Sequence, residues 1–123
     1  MHETGIATEV YRTCRRQLDA RGGGHLERVI VAVGELSAIE PELLQYAWEA
    51  VVQGGPDAQA QLEIEWRPAR LRCTQCAEIA ERADREWRTD CPRCGKPLAV
   101  EGGQELDLLR YDYVPAEFER RAS

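Results

Sequence analysis

The sequence predicts an α+β fold in which two helices pack on a three-stranded sheet and a small cysteine-rich module is inserted between two of the strands. Three observations lead to this prediction. Two stretches have the apolar spacing of amphipathic helices, three have the composition of strands, and four of the five cysteines form two close pairs between the second and third strands. We expect residues 1–69 and 102–123 to form the main α/β domain and residues 70–101 to form the inserted module.

The first helix is predicted over residues 3–18, because apolar side chains recur there every three or four positions. These side chains are Ile6, Val10, Cys14 and Leu18. We interpret Cys14 as a small buried hydrophobic residue rather than as a metal ligand or a nucleophile, since free cysteine is among the most buried residue types. Three glycines at positions 22–24 then end the helix.

The first strand, residues 25–36, is apolar on both faces. Val29, Val31 and Val33 alternate with Ile30 and Ala32. A strand of this composition lies in the centre of a sheet or is covered on both sides. We interpret His25, which follows the three glycines, as a solvated loop residue rather than as a metal ligand.

The second helix is predicted within residues 37–55. Pro41 suits the first helical position and two glycines at 54–55 suit the end. Ser37 and Glu40 have the spacing of a capping box, which offers an earlier start. The predicted buried face consists of Leu44, Ala47, Trp48, Val51 and Val52.

Two more strands complete the sheet. In residues 61–68, apolar and acidic side chains alternate, which predicts one buried and one solvated face. The predicted core-facing residues are Leu62, Ile64 and Trp66. In residues 105–114 the alternation slips after Leu108, which indicates a bulge or a change of covered face. The polar tail from Pro115 is expected to be loose or weakly helical.

The strongest signal in the sequence is the pair of C-x-x-C motifs formed by Cys73, Cys76, Cys91 and Cys94. In a C-x-x-C turn both sulfurs point to one spot, and two such turns complete a tetrahedral thiolate site for Zn²⁺. Because all four ligands come from the protein, the metal is expected to be structural. We therefore predict a zinc-ribbon-like (rubredoxin-like) module that is unfolded without zinc. Redox use of the cysteines, or iron in place of zinc, is the alternative.

The charge and the missing motifs of the sequence disfavour several classes of function. Sixteen basic and twenty-two acidic side chains give a net charge of -6, which repels nucleic acid and anionic lipid. The chain shows neither a secretory signal nor a membrane-spanning stretch, so we expect a cytoplasmic protein. It also lacks the G-x-S-x-G and G-x-x-x-x-G-K motifs, so the sequence shows no catalytic constellation.

The amino terminus is a second candidate metal site. The amine of Met1, the amide and ring nitrogens of His2 and the amide or carboxylate of Glu3 can form fused chelate rings on one ion. Nitrogen-rich square-planar sets of this kind suit Ni²⁺ or Cu²⁺. The simpler alternatives are a disordered terminal histidine and a glutamate that interacts with the helix dipole.

Together these motifs resemble the HypA/HybF family of nickel metallochaperones for hydrogenase maturation. The resemblance is carried by MHE at the amino terminus, VGELSAIEPELLQYAWE at 33–49, CTQC, CPRC and GGQELDLLRYDY at 102–113. Thr4 and Gly5 depart from the apolar residue and serine often found in the family, which bears on where the first helix starts.

The resemblance implies a protein that is not an enzyme and that delivers Ni²⁺, with a GTPase nickel-insertion partner, to the large subunit of a nickel-iron hydrogenase. Some members of the family also supply urease. Carried over to this sequence, the nickel donors are Met1, His2 and Glu3, and the zinc ligands are Cys73, Cys76, Cys91 and Cys94. Members of the family are monomers or homodimers.

Two other functions remain open at this point. A zinc-ribbon interaction module of transcription or translation would bind nucleic acid in a salt-dependent manner and would not need the amino terminus. A redox protein with iron in the thiolate site would absorb visible light.

Overall fold

The computed structural model describes residues 3–76, 79–80 and 87–118, with only the backbone described at 79–80. Within these residues the chain forms helices α1 (Glu3–Ala20) and α2 (Pro41–Val52) and strands β1 (Gly24–Gly34), β2 (Gln61–Arg67), β3 (Arg70–Cys73), β4 (Ile79–Ala80), β5 (Leu98–Glu101) and β6 (Leu106–Pro115). Residues 116–118 add a short helical turn. The rest of the tail, 119–123, lies outside the described residues.

The main sheet has the strand order β2-β1-β6. The strand β1 runs parallel to β2 and antiparallel to β6, and α2 supplies the crossover that a parallel pair needs. The central position of β1 confirms the prediction made from its two apolar faces. On one face Val29, Val31 and Val33 pack in the core with both helices. On the other face Ile30 and Ala32 are buried.

Both helices lie where the apolar spacing predicts them. In α1, Ile6, Cys14 and Leu18 are buried, and the helix ends with the Gly23 N–H donating to the Leu18 carbonyl at 2.9 Å. A left-handed backbone is required there, because Gly23 has a φ of 85°.

The second helix starts at Pro41, and the alternative start at a capping box is not adopted. The N-cap residue, Glu40, makes no side-chain cap hydrogen bond. The Ser37 hydroxyl instead donates to the Gly34 carbonyl at 2.7 Å and accepts from the Ile39 N–H at 3.3 Å. Ser37 therefore shapes the loop that precedes the helix.

The slip in the last strand is a bulge. Ile30 pairs with Arg110 and the next residue, Val31, pairs with Leu108, so Leu109 has no partner in the register. The extra residue places Leu108, Tyr111 and Tyr113 against the same core. These residues include the tyrosines of the sequence motif at 102–113.

The prediction that Trp66 faces the core needs a correction. Leu62 is buried, but Trp66 is 40 % exposed. It lines an open groove with Ile39, Pro41 and Ile64, beside the start of α2. The sequence analysis predicted correctly which face of the sheet carries Trp66, but it did not predict that this face is open to solvent near the end of β2.

A second sheet, of order β4-β3-β5, contains only antiparallel pairs. It arises within residues 70–101, where the sequence analysis predicted a metal module but no strands. The domain boundaries stay a prediction. Among the described residues, neither α1 nor α2 is long and apolar enough to cross a membrane.

Candidate metal centre

The four predicted zinc ligands come together at one point. The sulfur atoms of Cys73, Cys76, Cys91 and Cys94 all lie within 4.8 Å of one another, and the sulfurs of Cys73 and Cys94 are 3.5 Å apart. A tetrahedron with metal–sulfur bonds of about 2.3 Å has sulfur–sulfur edges of about 3.8 Å. The cluster therefore has the dimensions of a site for a single tetrahedrally coordinated ion.

Short backbone hydrogen bonds shape each C-x-x-C turn. In the first turn, the N–H groups of Gln75 and Cys76 donate to the Cys73 sulfur at 3.4 and 3.2 Å. In the second, the Gly95 N–H donates to the Cys91 carbonyl at 2.8 Å, and Gly95 has a φ of 73°. Such turns leave the sulfurs of each pair directed inward, which is the arrangement that thiolate ligands of zinc adopt.

The second sheet brings the two turns together. Cys73 is the last residue of β3 and pairs with Leu98, the first residue of β5. The Thr74 hydroxyl donates to the Pro97 carbonyl at 3.2 Å across the same gap. Sequence reasoning missed these strands, because segments of two to four residues are too short to show a period.

The electrostatics of the cluster suit a cation. The N–H of Cys76 donates to the Cys73 sulfur and lowers the pKa of that thiol to about 6. A hydrogen bond with Cys94 raises the pKa of Cys76 to about 12. Four sulfurs this close can all be deprotonated only when a positive ion compensates their charge, and a soft four-thiolate set fits Zn²⁺ or iron.

The set leaves no ligand position for a substrate. Four protein sulfurs complete a tetrahedron, which is typical of structural rather than catalytic metal sites. Cys73 and Cys91 are buried, while Cys94 is exposed. The centre is thus held within the second sheet on one side and faces solvent on the other.

Two carboxylates hold the connections between the sheets. Glu35, directly after β1, accepts a hydrogen bond from the Ala69 N–H at 3.0 Å. Glu105 accepts one from the Gly103 N–H at 2.9 Å. Gly103 approaches Ala69 so closely that a Cβ on it would lie 2.7 Å from the Ala69 Cβ. The only sequence signal for this junction is the pair of glycines before β6.

Of the three predicted nickel donors, Met1 and His2 lie outside the described residues. Glu3 is the first residue of α1, and its Oε1 atom accepts a hydrogen bond from the Glu40 N–H at 3.2 Å. Because Glu40 is the N-cap of α2, the amino ends of the two helices meet at this point. The first described residue of the chain is therefore fixed on a folded surface.

The remaining two candidates have structural positions. Cys14 is fully buried, and burial raises its pKa to about 11, which confirms its interpretation as a core residue. The interpretation of His25 as a loop residue was wrong. It lies within β1 and pairs with Val114, in agreement with the strand predicted over residues 25–36.

Asp57 is a buried polar residue that sequence reasoning missed. Its carboxylate accepts hydrogen bonds from the Tyr11 hydroxyl at 2.6 Å and from the Leu26 N–H at 2.7 Å. Arg15 lies 3.4 Å away. A single aspartate in a loop shows no periodicity, so no pattern in the sequence could have indicated this role.

Comparisons with known proteins agree along most of the chain. The model of a protein family described as "Hydrogenase/urease nickel incorporation, metallochaperone, hypA" matches residues 1–113. The hydrogenase maturation factor HypA of Moorella thermoacetica is 34% identical over 113 residues, which cover 91% of this chain and 98% of the relative. That of Lawsonia intracellularis is 35% identical over 110 residues, with 86% and 93% covered.

The fold is also similar to solved structures. The solution structure of the Ni metallochaperone HypA from Helicobacter pylori superimposes with a TM-score of 0.61 and 24% identity, covering 94% of this chain and 99% of that one. A second solution structure, of a HypA protein, gives a TM-score of 0.66 and 24% identity over 93% and 97% of the two chains. At this identity the similarity establishes the fold.

Proposed function

The chain belongs to the HypA family of hydrogenase and urease nickel-incorporation metallochaperones, and we propose that it binds Ni²⁺ at its amino terminus and delivers it to the large subunit of a nickel-iron hydrogenase. The observation that carries the proposal is the family match over residues 1–113, which includes the MHE terminus. In this role the protein catalyses no reaction, and its cargo is the metal.

We assign the nickel donors to the amine of Met1, to His2 and to Glu3. The Glu3 carboxylate already accepts the Glu40 N–H, so we favour the amide nitrogen of Glu3 as its donor atom. Nitrogen donors in a square plane suit Ni²⁺. Because the Glu40 N–H donates to Glu3 at the start of α1, these donors are attached to a folded part of the chain. This supports binding of one ion per chain.

We assign a resident Zn²⁺ to Cys73, Cys76, Cys91 and Cys94, whose sulfurs lie within 4.8 Å of one another. A closed tetrathiolate set holds its ion strongly and offers no open position, which suits a structural ion. Cargo that must be passed on needs ligands that can be replaced one at a time, as those of an exposed chain terminus can. The two proposed metals therefore have opposite requirements, and separate sites meet them.

Delivery also needs partners. We propose that a GTPase nickel-insertion protein works with this chain, as the family resemblance implies, and that both act in the cytoplasm, where thiols stay reduced. The test is transfer of nickel from the loaded protein to an apo large subunit, measured as hydrogenase activity with and without the GTPase. Transfer that is equally fast from free Ni²⁺ would contradict delivery.

Nickel binding is tested by calorimetric titration of the zinc-loaded protein with an untagged amino terminus. We expect His2→Ala to weaken binding by at least roughly tenfold, because one of the nitrogen donors is lost. His25→Ala is the matched control, since His25 is the only other histidine, and it should bind as the unmodified chain does. Equal affinity in the unmodified and His2→Ala chains would remove the proposed site.

The proposed ligands also predict a pH dependence. The terminal amine has an ordinary pKa of about 7.7–8.0, and it and the amides must lose protons when they bind the ion. Nickel affinity should therefore fall steeply as the pH drops through neutrality. An affinity that is unchanged between mildly acidic and mildly alkaline pH would contradict this set of donors.

A further inference from the structure

An open groove of about 680 Å³ lies between the start of α2 and the end of β2. Its apolar surface is formed by Ile39, Pro41, Ile64 and Trp66. The groove is distinct from the cysteine cluster, and neither the sequence motifs nor the proposed metal sites account for its exposed aromatic residue.

Trp66 is exposed although its neighbour in the sheet is not. Trp66 pairs in register with Val33, which is fully buried, yet Trp66 itself is 40 % exposed. Near the start of β2, the Gln45 side chain of α2 donates to the Leu62 carbonyl at 2.8 Å. Near the end of β2, the Trp66 side chain borders the open groove. Exposed tryptophans with adjacent apolar side chains are typical of interface anchors.

The charge of the groove selects the kind of partner. Three of its lining residues, Glu35, Glu40 and Glu42, are acidic, and none of its described lining residues is basic. Glu3 adds a further carboxylate at the Glu40 backbone. A second copy of this chain also carries a net charge of -6, so electrostatic repulsion disfavours self-association through this surface.

We propose that the groove binds a segment of a partner protein in which an arginine stands next to apolar residues. The guanidinium group would stack on the Trp66 indole, where cation–π attraction is strongest among the aromatic side chains, with Glu40 and Glu42 nearby to compensate its charge. The apolar neighbours would cover Ile39, Pro41 and Ile64. Because the Glu40 N–H donates a hydrogen bond to Glu3, such a partner would lie beside the amino end to which we assign nickel. Binding in the groove itself requires no nickel.

The test uses the full, zinc-loaded chain and a capped hexapeptide in which three arginines alternate with three leucines. Binding is followed through the indole N–H resonances of the three tryptophans, assigned with Trp66→Phe and Trp87→Phe. We expect a saturable shift of the Trp66 resonance, with Trp48 and Trp87 unchanged. Replacing arginine by citrulline should weaken binding by roughly fivefold or more, because the cation is lost while the shape is kept.

Matched variants locate the site. Glu42→Gln should weaken binding by roughly two- to fivefold, as expected for a surface ion pair. Glu49→Gln lies on the same helix but lines a different groove, with Tyr46 and Gln53, and should leave binding unchanged. Trp66→Ala should abolish the specific shift at the neighbouring backbone amides, and an unchanged Trp48 resonance would show that the core is intact.

Several results would overturn the proposal. These are equal affinity for the citrulline peptide, equal effects of Glu42→Gln and Glu49→Gln, or shifts spread over Trp66 and Trp87 alike. A Trp66 resonance that moves with protein concentration in the absence of peptide would identify a second copy as the occupant. The His2→Ala chain should bind the peptide normally, so a failure of nickel binding and a failure of this proposal are distinguishable.

Discussion

Replacing Asp57 by alanine should strongly destabilise the main sheet and its helices. The Asp57 side chain is fully buried and joins three elements. It accepts the Tyr11 hydroxyl from α1 and the Leu26 N–H from β1, and it lies in the loop between α2 and β2. Asp57 is therefore the point at which the middle of α1, the start of β1 and this loop are fixed together.

The size of the effect follows from what each partner loses. The Leu26 N–H is buried, and leaving a buried donor without an acceptor costs about 1–3 kcal/mol. Arg15 keeps its ion pair with Asp19 at 2.6 Å and its hydrogen bond to the Gly24 carbonyl at 2.9 Å. The free-energy cost at Arg15 is therefore small. The part-buried Tyr11 hydroxyl also loses its acceptor, and a hydrogen bond to a charged group contributes about 1.5–3 kcal/mol. From these two losses we expect a decrease of about 3–4 kcal/mol in the free energy of unfolding.

The assay is urea unfolding followed by the fluorescence of Trp48, which is buried in the same core. With a slope of about 2 kcal/mol per molar urea, the midpoint should fall by roughly 2 M. Asp57→Asn keeps an acceptor for the Leu26 N–H and should cost less, about 1–2 kcal/mol. The matched control is Asp19→Asn, whose carboxylate is 62 % exposed and should change stability by less than about 0.5 kcal/mol. A loss below about 1 kcal/mol for Asp57→Ala would refute the reasoning.

Three further predictions concern the core, the thiols and the junction. Burial raises the pKa of Tyr11 to about 12, above its unfolded value of about 10. The contribution of Tyr11 to stability is therefore present below about pH 10 and is lost as the pH rises towards about 12. In urea unfolding, Tyr11→Phe should reduce this loss of stability at high pH. After zinc removal by a chelator, a thiol reagent at neutral pH should modify four of the five cysteines, because Cys14 is fully buried; modification of all five without denaturant would contradict this. Gly103→Ala should lower the unfolding temperature more than Gly54→Ala, since both glycines have positive φ but only Gly103 has a neighbour, Ala69, in the way of a Cβ; equal effects would show that the close approach is unimportant.

The parts of the fold that depend on repeated patterns could be predicted from the sequence. The apolar faces of β1 indicated a central strand, and the slip after Leu108 indicated the bulge that the register places at Leu109. The two C-x-x-C motifs indicated a cluster, and their sulfurs lie within 4.8 Å of one another. In each case several residues carry the same signal, so an exception at one position does not hide it.

The parts that depend on single residues could not be predicted. Asp57, Glu35 and Glu105 each bind a backbone amide that is distant in the sequence or hidden in a loop, and such a contact leaves no periodicity. The exposure of Trp66 depends on where α2 begins relative to β2, a tertiary relation that alternation within one strand does not encode. The terminal donors Met1 and His2 stay a prediction, because they lie outside the described residues.

The loop of residues 35–40 links the two regions for which we propose metal binding. At the first residue of this loop, the Glu35 carboxylate accepts a hydrogen bond from the Ala69 N–H. Ala69 directly precedes β3, which leads into the first cysteine turn. At the last residue of the loop, the Glu40 N–H donates a hydrogen bond to the Glu3 carboxylate at the start of α1. Both contacts lie within six consecutive residues, and the Ser37 hydroxyl donates a hydrogen bond at 2.7 Å to the Gly34 carbonyl beside them. The start of α1 and the entry to the cysteine module are therefore both positioned by the end of β1, whose last six residues are buried. If the amino end binds nickel as we propose, we expect these contacts to keep its position on the protein fixed while its ligands exchange.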